Sequence, residues 1–231
     1  MPRRPCSRYE DVLIGDSGIN ILTGLAGNDF HRGVGASDTL IGGDGNDKLA
    51  VTNAQTLVDG GDGQDRLLLL EPDTFTFTDA SFKSIETIYV RGALTLDLSG
   101  VTASTTVNLQ NAKDTFATVS GTKGNDVIRA GVGDTVIDGG TGNDKLYAAR
   151  GADTFIFEMN FGKDNVYGFA KGFDHFDVSA LVSSFEDINL TMLNRGADTL
   201  VTFDDVALVN SIILRDFAKE SLSGADFGLL I

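Results

Sequence analysis

Leu40, Leu49, Val58 and Leu67 stand nine residues apart, and Ile128, Ile137, Leu146 and Phe155 repeat the interval further along the chain. Each is the apolar centre of a triplet such as Lys48-Leu49-Ala50, and Gly and Asp crowd the six places before it. A strand alternates its side chains with period two, so a three-residue strand sends only its middle residue inward. Glycines in the preceding segment permit φ > 0 and close backbone approach, which makes that segment a tight turn. The pattern therefore predicts short strands joined by turns. Two units close one flattened coil, apolar centres meet between opposite sheets, and coils stack at the inter-strand spacing of ~4.8 Å. The fold class expected is all-β, a parallel β-roll or β-solenoid.

Three segments fit G-G-x-G-x-D-x-U-x in full, with U a large apolar residue: Gly42 to Ala50, Gly60 to Leu68 and Gly139 to Tyr147. Chance would give about 0.01 such matches in a chain of ordinary composition. The register continues through Gly24 to Arg32, Gly33 to Ile41 and Val51 to Asp59. A second block holds Gly121 to Arg129, Ala130 to Asp138 and Ala148 to Ile156, with looser copies around Gly162 and Gly172. Cys6 to Ile14 is already in register, placing Asp11 at the sixth position and Leu13 at the apolar one. His31 takes the apolar place of its unit and reads as a hydrogen-bonded core imidazole rather than a ligand.

Four segments follow from these patterns: 6–68, a first repeat block; 69–120, metal-free solenoid-like coils; 121–181, a second repeat block; and 182–231, a C-terminal β cap. Residues 69–111 lack the Gly/Asp signature but keep strand patterns at Thr74 to Thr78, Ile88 to Val90, Leu96 to Leu98 and Val107 to Leu109. A small separate β-module is the alternative for that stretch. The cap is expected to hold strands at Ile188 to Met192, Leu200 to Phe203 and Ser211 to Leu214, then a short helix near Ser221 to Asp226.

Composition gives the turns their chemistry. The chain carries 33 acids against 18 Lys and Arg, for a net charge of −15. Of the acids, 27 are Asp and 6 are Glu, the skew expected of turns rather than helices. That sign argues against nucleic-acid binding, while 42% hydrophobic residues argue against a disordered acidic tail. Stacked coils bring sixth-position Asp residues together. Two carboxylates about 5 Å apart repel by roughly 1 kcal/mol in water and 3 kcal/mol at an effective dielectric of about 20. A divalent cation between the turns would convert the repulsion into coordination. Hard oxygen donors in flexible number favour Ca²⁺ over Zn²⁺ or Cu²⁺.

Catalytic motifs are not found. There is no H-E-x-x-H or G-x-S-x-G, His31 and His175 lie 144 positions apart, and Gly162-Lys163 is followed by Asp164 rather than by the Ser or Thr of a phosphate loop. Cys6 is the single cysteine. Glycines and polar residues interrupt the apolar stretch after Arg8, so no N-terminal secretory signal is expected. The longest aliphatic run is Leu67 to Leu70, so no stable membrane insertion is expected either. With no Trp and 4 Tyr, an adhesin or polysaccharide-binding module is disfavoured.

The nonapeptides resemble the hemolysin-type calcium-binding (RTX) repeat family. Gly151 to Phe157, Phe161 to Leu181 and Ala225 to Ile231 extend the likeness to the C-terminal region of serralysin-type secreted metalloproteases. The resemblance implies a non-enzymatic calcium module that folds outside the cell. It implies export by a type I secretion ABC transporter, an extracellular location and a secretion signal in Ala225 to Ile231. The alternative is the C-terminal part of a secreted enzyme, either a metalloprotease or a polysaccharide-modifying enzyme. In that family the ligands are the Asp carboxylates and the turn carbonyls. Carried onto matching positions, these are Asp11, Gly24, Gly27, Asp29, Asp38, Gly42, Gly43, Asp44, Gly45, Asp47, Gly60, Gly61, Asp62, Gly63 and Asp65 in the first block. In the second they are Gly121, Gly124, Asp126, Gly139, Gly140, Thr141, Gly142, Asp144, Gly151, Asp153, Asp164 and Asp174, for about five to seven Ca²⁺ in all.

The register also predicts unequal edges, since residues 18 apart stack. One edge reads Asp11, Asp29, Asp47, Asp65, while the other reads Asn20, Asp38, Thr56. In the second block Asp126, Asp144 and Asp164 share an edge opposite Thr135, Asp153 and Asp174.

Overall fold

The computed structural model describes residues 7–53, 57–71, 73–204 and 210–228. They form a parallel β-solenoid of about nine turns, in which every element other than strand is a short 3₁₀ turn. One wall is a twelve-stranded sheet whose first nine strands, beginning at Val12–Ile14, come one from each successive coil. In the first block its partners lie 18 residues apart, as in Phe30↔Lys48 and Lys48↔Arg66, which is the nine-residue unit taken twice. The spacing widens to 21 at Arg66↔Thr87 and to 20 at Lys145↔Asn165. Even so, strands Thr87–Val90 and Thr106–Leu109 continue the same sheet across the segment without repeats.

The opposite wall is divided between two sheets. It consists of a four-stranded sheet, from Ile21–Ala26 to Phe82–Lys83, and a six-stranded sheet, from Thr74–Thr78 to His175–Asp177. The break falls where a longer coil supplies both Thr74–Thr78 and Phe82–Lys83: the first opens the new sheet and the second closes the old one. Between the walls the repeat-centre residues Leu40, Leu49, Val58, Leu67, Ile128, Ile137, Leu146 and Phe155 are all fully buried.

The C-terminal end is closed. Strand Ser211–Leu214 adds in parallel to Lys163–Tyr167, and Asp198–Phe203 and Ile188–Leu193 follow antiparallel, ending the stack. The helix expected near Ser221 is instead two 3₁₀ turns, Lys219–Ser221 and Gly224–Phe227. The second seats buried Phe227 against Phe176 and Phe185, at 5.3 and 5.6 Å between ring centroids. Arg215 pairs with Asp198 at 3.0 Å, and the Asp216 N–H donates to the same carboxylate and holds its pKa below the ordinary value. On the outer face of the long sheet Tyr147 and Tyr167 stack at 4.5 Å, with the Arg129 guanidinium 4.9 Å from the Tyr147 ring centre. No helix among the described residues is long and apolar enough to cross a membrane.

Candidate metal centre

The sixth-position acids form ladders along the turns. The Asp11 N–H donates to Asp29 Oδ1, the Asp29 N–H to Asp47 Oδ1 and the Asp47 N–H to Asp65 Oδ1, each at 2.7 Å. The same bond joins Asp126 to Asp144 Oδ1 at 2.7 Å and Asp144 to Asp164 Oδ1 at 2.8 Å. On the other edge the Asn20 N–H meets Asp38 Oδ1 at 2.8 Å, and the Asp153 N–H meets Asp174 Oδ1 at 2.9 Å. Thr56, expected next to Asp38, lies outside the described residues. One oxygen of each rung thus carries an inter-coil hydrogen bond, which holds the acids in register but leaves their charge in place.

The second oxygen is the chemically informative one. Oδ2 of Asp29, Asp47, Asp65, Asp144 and Asp164 is buried without a hydrogen-bond partner, and on the other edge so is Oδ1 of Asp153. An orphaned carboxylate oxygen costs free energy unless something positive meets it. Carbonyl oxygens converge on the same places. A Cβ added at Gly24 would collide with Asp29 Oδ2 and the Gly42 carbonyl, one at Gly42 with Asp47 Oδ2 and the Gly60 carbonyl, and one at Gly60 with Asp65 Oδ2 and the Ser84 carbonyl. At Gly139 the obstacles include Asp144 Oδ2, and at Gly121 they are the Gly139 carbonyl and Asp126 Oδ2, an oxygen that already accepts the Thr122 N–H at 2.6 Å. These glycines leave room for a small cradle of hard oxygens, the donor set that suits Ca²⁺. No group of three or more His, Cys, Asp or Glu side chains among the described residues could hold a metal by itself, so backbone carbonyls must supply part of any shell.

Glycine serves a different need elsewhere in the turns. Gly27, Gly43, Gly45, Gly61, Gly63, Gly140, Gly142 and Gly151 have φ between 82° and 142°, the left-handed region. Gly124 packs on Ser104, so its constraint is close approach. Asp44, Asp62 and Thr141 are exposed, and the Thr141 hydroxyl donates to the Lys123 carbonyl at 3.2 Å, so their part in any shell falls to the backbone.

The pKa directions agree with this picture. Burial is the main cause of raised values throughout: Asp65, Asp126 and Asp153 move up to about 6, and Asp144 and Asp164 to about 8. Asp29, Asp47 and Asp174 are also raised by burial. His31 departs from expectation. Its imidazole is fully buried between Leu13 and Leu49, neither ring nitrogen has a partner, and burial pushes it down to about 4. It fills an apolar place as a neutral ring.

A carboxyl whose folded pKa lies above the unfolded value of about 3.9 adds stability below that value and loses it as pH rises through the folded pKa. Metal-stripped protein should therefore be more stable near pH 5.5 than near pH 8, and calcium should bind more weakly at the lower pH because it must displace protons. The β content of stripped protein by circular dichroism and calcium titrations at both pH values check this. Equal stability at both, or tighter binding at pH 5.5, would contradict it.

Sequence reasoning missed two parts of the ladder. The Asp65 N–H donates to Glu86 Oε2 at 2.6 Å, so Glu86 continues the acidic column past the first block. Its signal was an acid one place before the strand centred on Ile88, as Asp65 precedes Arg66. The fifth-position amides form a second ladder, in which Oδ1 of Asn28, Asn46, Asn125 and Asn143 accepts the N–H of Asn46, Gln64, Asn143 and Lys163.

Comparison with known proteins gives two family matches. The model described as peptidase M10 serralysin C terminal covers residues 69–230, and the RTX calcium-binding nonapeptide repeat model covers 7–30 and 32–50. No curated protein matches the chain. Among solved structures, the AlgE6R2 subunit of a mannuronan C5-epimerase from Azotobacter vinelandii is 22% identical, with TM-score 0.37, over 50% of this chain and 83% of that one. The extracellular lipase LipA from Serratia marcescens is 16% identical, with TM-score 0.41, and the match covers 98% of this chain but 39% of the lipase.

Proposed function

This chain belongs to the peptidase M10 serralysin C-terminal family and carries RTX calcium-binding repeats, and from that membership we propose that it is a secreted module that folds on calcium. The observation that carries the reading is the set of buried carboxylate oxygens left without donors beside turn carbonyls. Calcium is the cofactor, the extracellular space supplies it at about 1 mM, and a type I secretion ABC transporter is the partner during export. Folding is thereby deferred until after transport, since low cytosolic calcium leaves the carboxylates mutually repelling. The family description favours a second reading of the parent activity, in which the module forms the C-terminal part of a secreted peptidase.

Export and calcium are tested together in a host bearing a cognate transporter. The chain should accumulate in the medium and resist protease there, and it should become protease-sensitive when the medium is depleted of calcium. Removing residues 225–231, or fusing a fast-folding domain after Ile231, should hold it inside the cell. Normal secretion of both altered chains, or resistance unaffected by calcium, would refute the reading.

A further inference from the structure

Ten aspartates occupy the ladder position: Asp11, Asp29, Asp38, Asp47, Asp65, Asp126, Asp144, Asp153, Asp164 and Asp174. On the calcium reading above, the family motif alone treats them as variations on one site. The hydrogen bonds divide them. In Asp11, Asp38, Asp126, Asp153 and Asp174, Oδ2 accepts the backbone N–H of the residue four places earlier: Ser7, Val34, Thr122, Ala149 and Ala170 respectively. These carboxylates cap their own turns through Oδ2, although Asp153 Oδ1 is itself buried without a partner. In Asp29, Asp47, Asp65, Asp144 and Asp164, Oδ2 has no such donor, and each residue is at most 2% exposed.

Backbone conformation at that earlier residue separates the two groups. Four places before the uncapped acids stand Leu25, Gly43, Gly61, Gly140 and Asn160, with φ of 84°, 115°, 96°, 82° and 68°. None of Val34, Thr122, Ala149 and Ala170 has a positive φ. A left-handed residue rotates its own N–H away from the carboxylate, so Oδ2 faces the cradle without a local donor. A residue outside that region keeps its N–H on Oδ2. Leu25 and Asn160 take the left-handed conformation without being glycine, a costly choice for leucine above all.

We infer that backbone handedness four residues before each ladder aspartate selects which turns take calcium: the turns of Asp29, Asp47, Asp65, Asp144 and Asp164 hold ions, and the self-capped turns of Asp11, Asp38, Asp126, Asp153 and Asp174 do not contribute an ion of their own. The assignment cuts across the sequence motif. It includes Asp164, whose repeat is degraded, and it leaves out Asp126, whose repeat lacks only the second glycine because Thr122 stands there. Thr122 reinforces the cap, since its hydroxyl also donates to Asp126 Oδ1 at 2.9 Å.

The test is ion counting by atomic emission on the full chain at dialysis equilibrium with about 1 mM calcium chloride, the calcium of the dialysate being subtracted, with circular dichroism confirming the β fold of each variant. The unaltered chain should bind about five calcium ions, one per uncapped Oδ2. Asp164→Asn should lower the count, and Asp174→Asn should leave it unchanged. Asp38→Asn is a second self-capped variant in the other block, should Asp174→Asn fail to fold. Retention of no calcium by the unaltered chain would defeat the calcium reading itself. A count near ten, or equal losses from the capped and uncapped substitutions, would overturn the division while leaving that reading intact.

Discussion

Stripped of calcium near neutral pH, the chain is expected to lose most of its β structure and to recover it in about 1 mM calcium. A module-type Kd near 10⁻⁴ M gives each site about 1.4 kcal/mol at that concentration and almost nothing below a micromolar. Five such sites supply about 7 kcal/mol, comparable with the whole stability of an ordinary domain. The structure explains why nothing else compensates. The ladder acids other than Asp11 are buried, their neighbours in the column are other acids, and the one ion pair among the described residues, Arg215–Asp198, lies in the C-terminal cap. Far-ultraviolet circular dichroism through cycles of chelation and calcium addition measures the effect. Magnesium at the same concentration should restore much less, because it accepts only tight octahedral shells and gives up its water reluctantly. An unchanged spectrum in excess chelator would remove calcium from the folding of this chain.

The second large effect is expected from Asp47→Ala set against Asp38→Ala. Asp47 sits inside the first column: Oδ1 takes the Asp29 N–H, Oδ2 is unpartnered beside the place where Gly42 and the Gly60 carbonyl meet, and further acids lie one coil away on each side. Removing it deprives its own cradle of charge and weakens the column at both neighbouring gaps. Losing two of five sites should raise the calcium midpoint for folding about fourfold. Asp38 has both oxygens occupied by the N–H groups of Asn20 and Val34, so Asp38→Ala breaks two hydrogen bonds without emptying an uncapped cradle. It should lower stability modestly at every calcium concentration and move the midpoint much less. Equal midpoints, or a larger shift for Asp38→Ala, would show that the uncapped column is not where calcium acts.

The sequence made the solenoid legible because nine-residue spacing of single apolar residues has few physical solutions. The register derived from it agrees with the observed pairs Phe30↔Lys48 and Val127↔Lys145. What escaped has identifiable causes. The split of the second wall depends on one coil being long enough to serve two sheets, which strand patterns at Thr74 to Thr78 do not reveal. The empty surroundings of His31 follow from Leu13 and Leu49 packing above and below it, a matter of stacking rather than of residue type. Glu86 joined the ladder because strand pairing, not motif, sets its position. The left-handed conformations of Leu25 and Asn160 are invisible in composition, since only glycine advertises that region. For that reason the candidate residues could be named from the motif, but the orientation of their second oxygens could not.

The stacked pair on the outer face of the long sheet has an optical consequence. Tyr147 and Tyr167 belong to the two coils that carry Asp144 and Asp164, they lie parallel within 9°, and the chain has no Trp to mask them. Two phenol chromophores held that close couple their transitions, and they separate as soon as either coil detaches. The near-ultraviolet dichroism of this protein should therefore carry the signal of a native reporter at the junction of those two turns, placed there by the fold without any label.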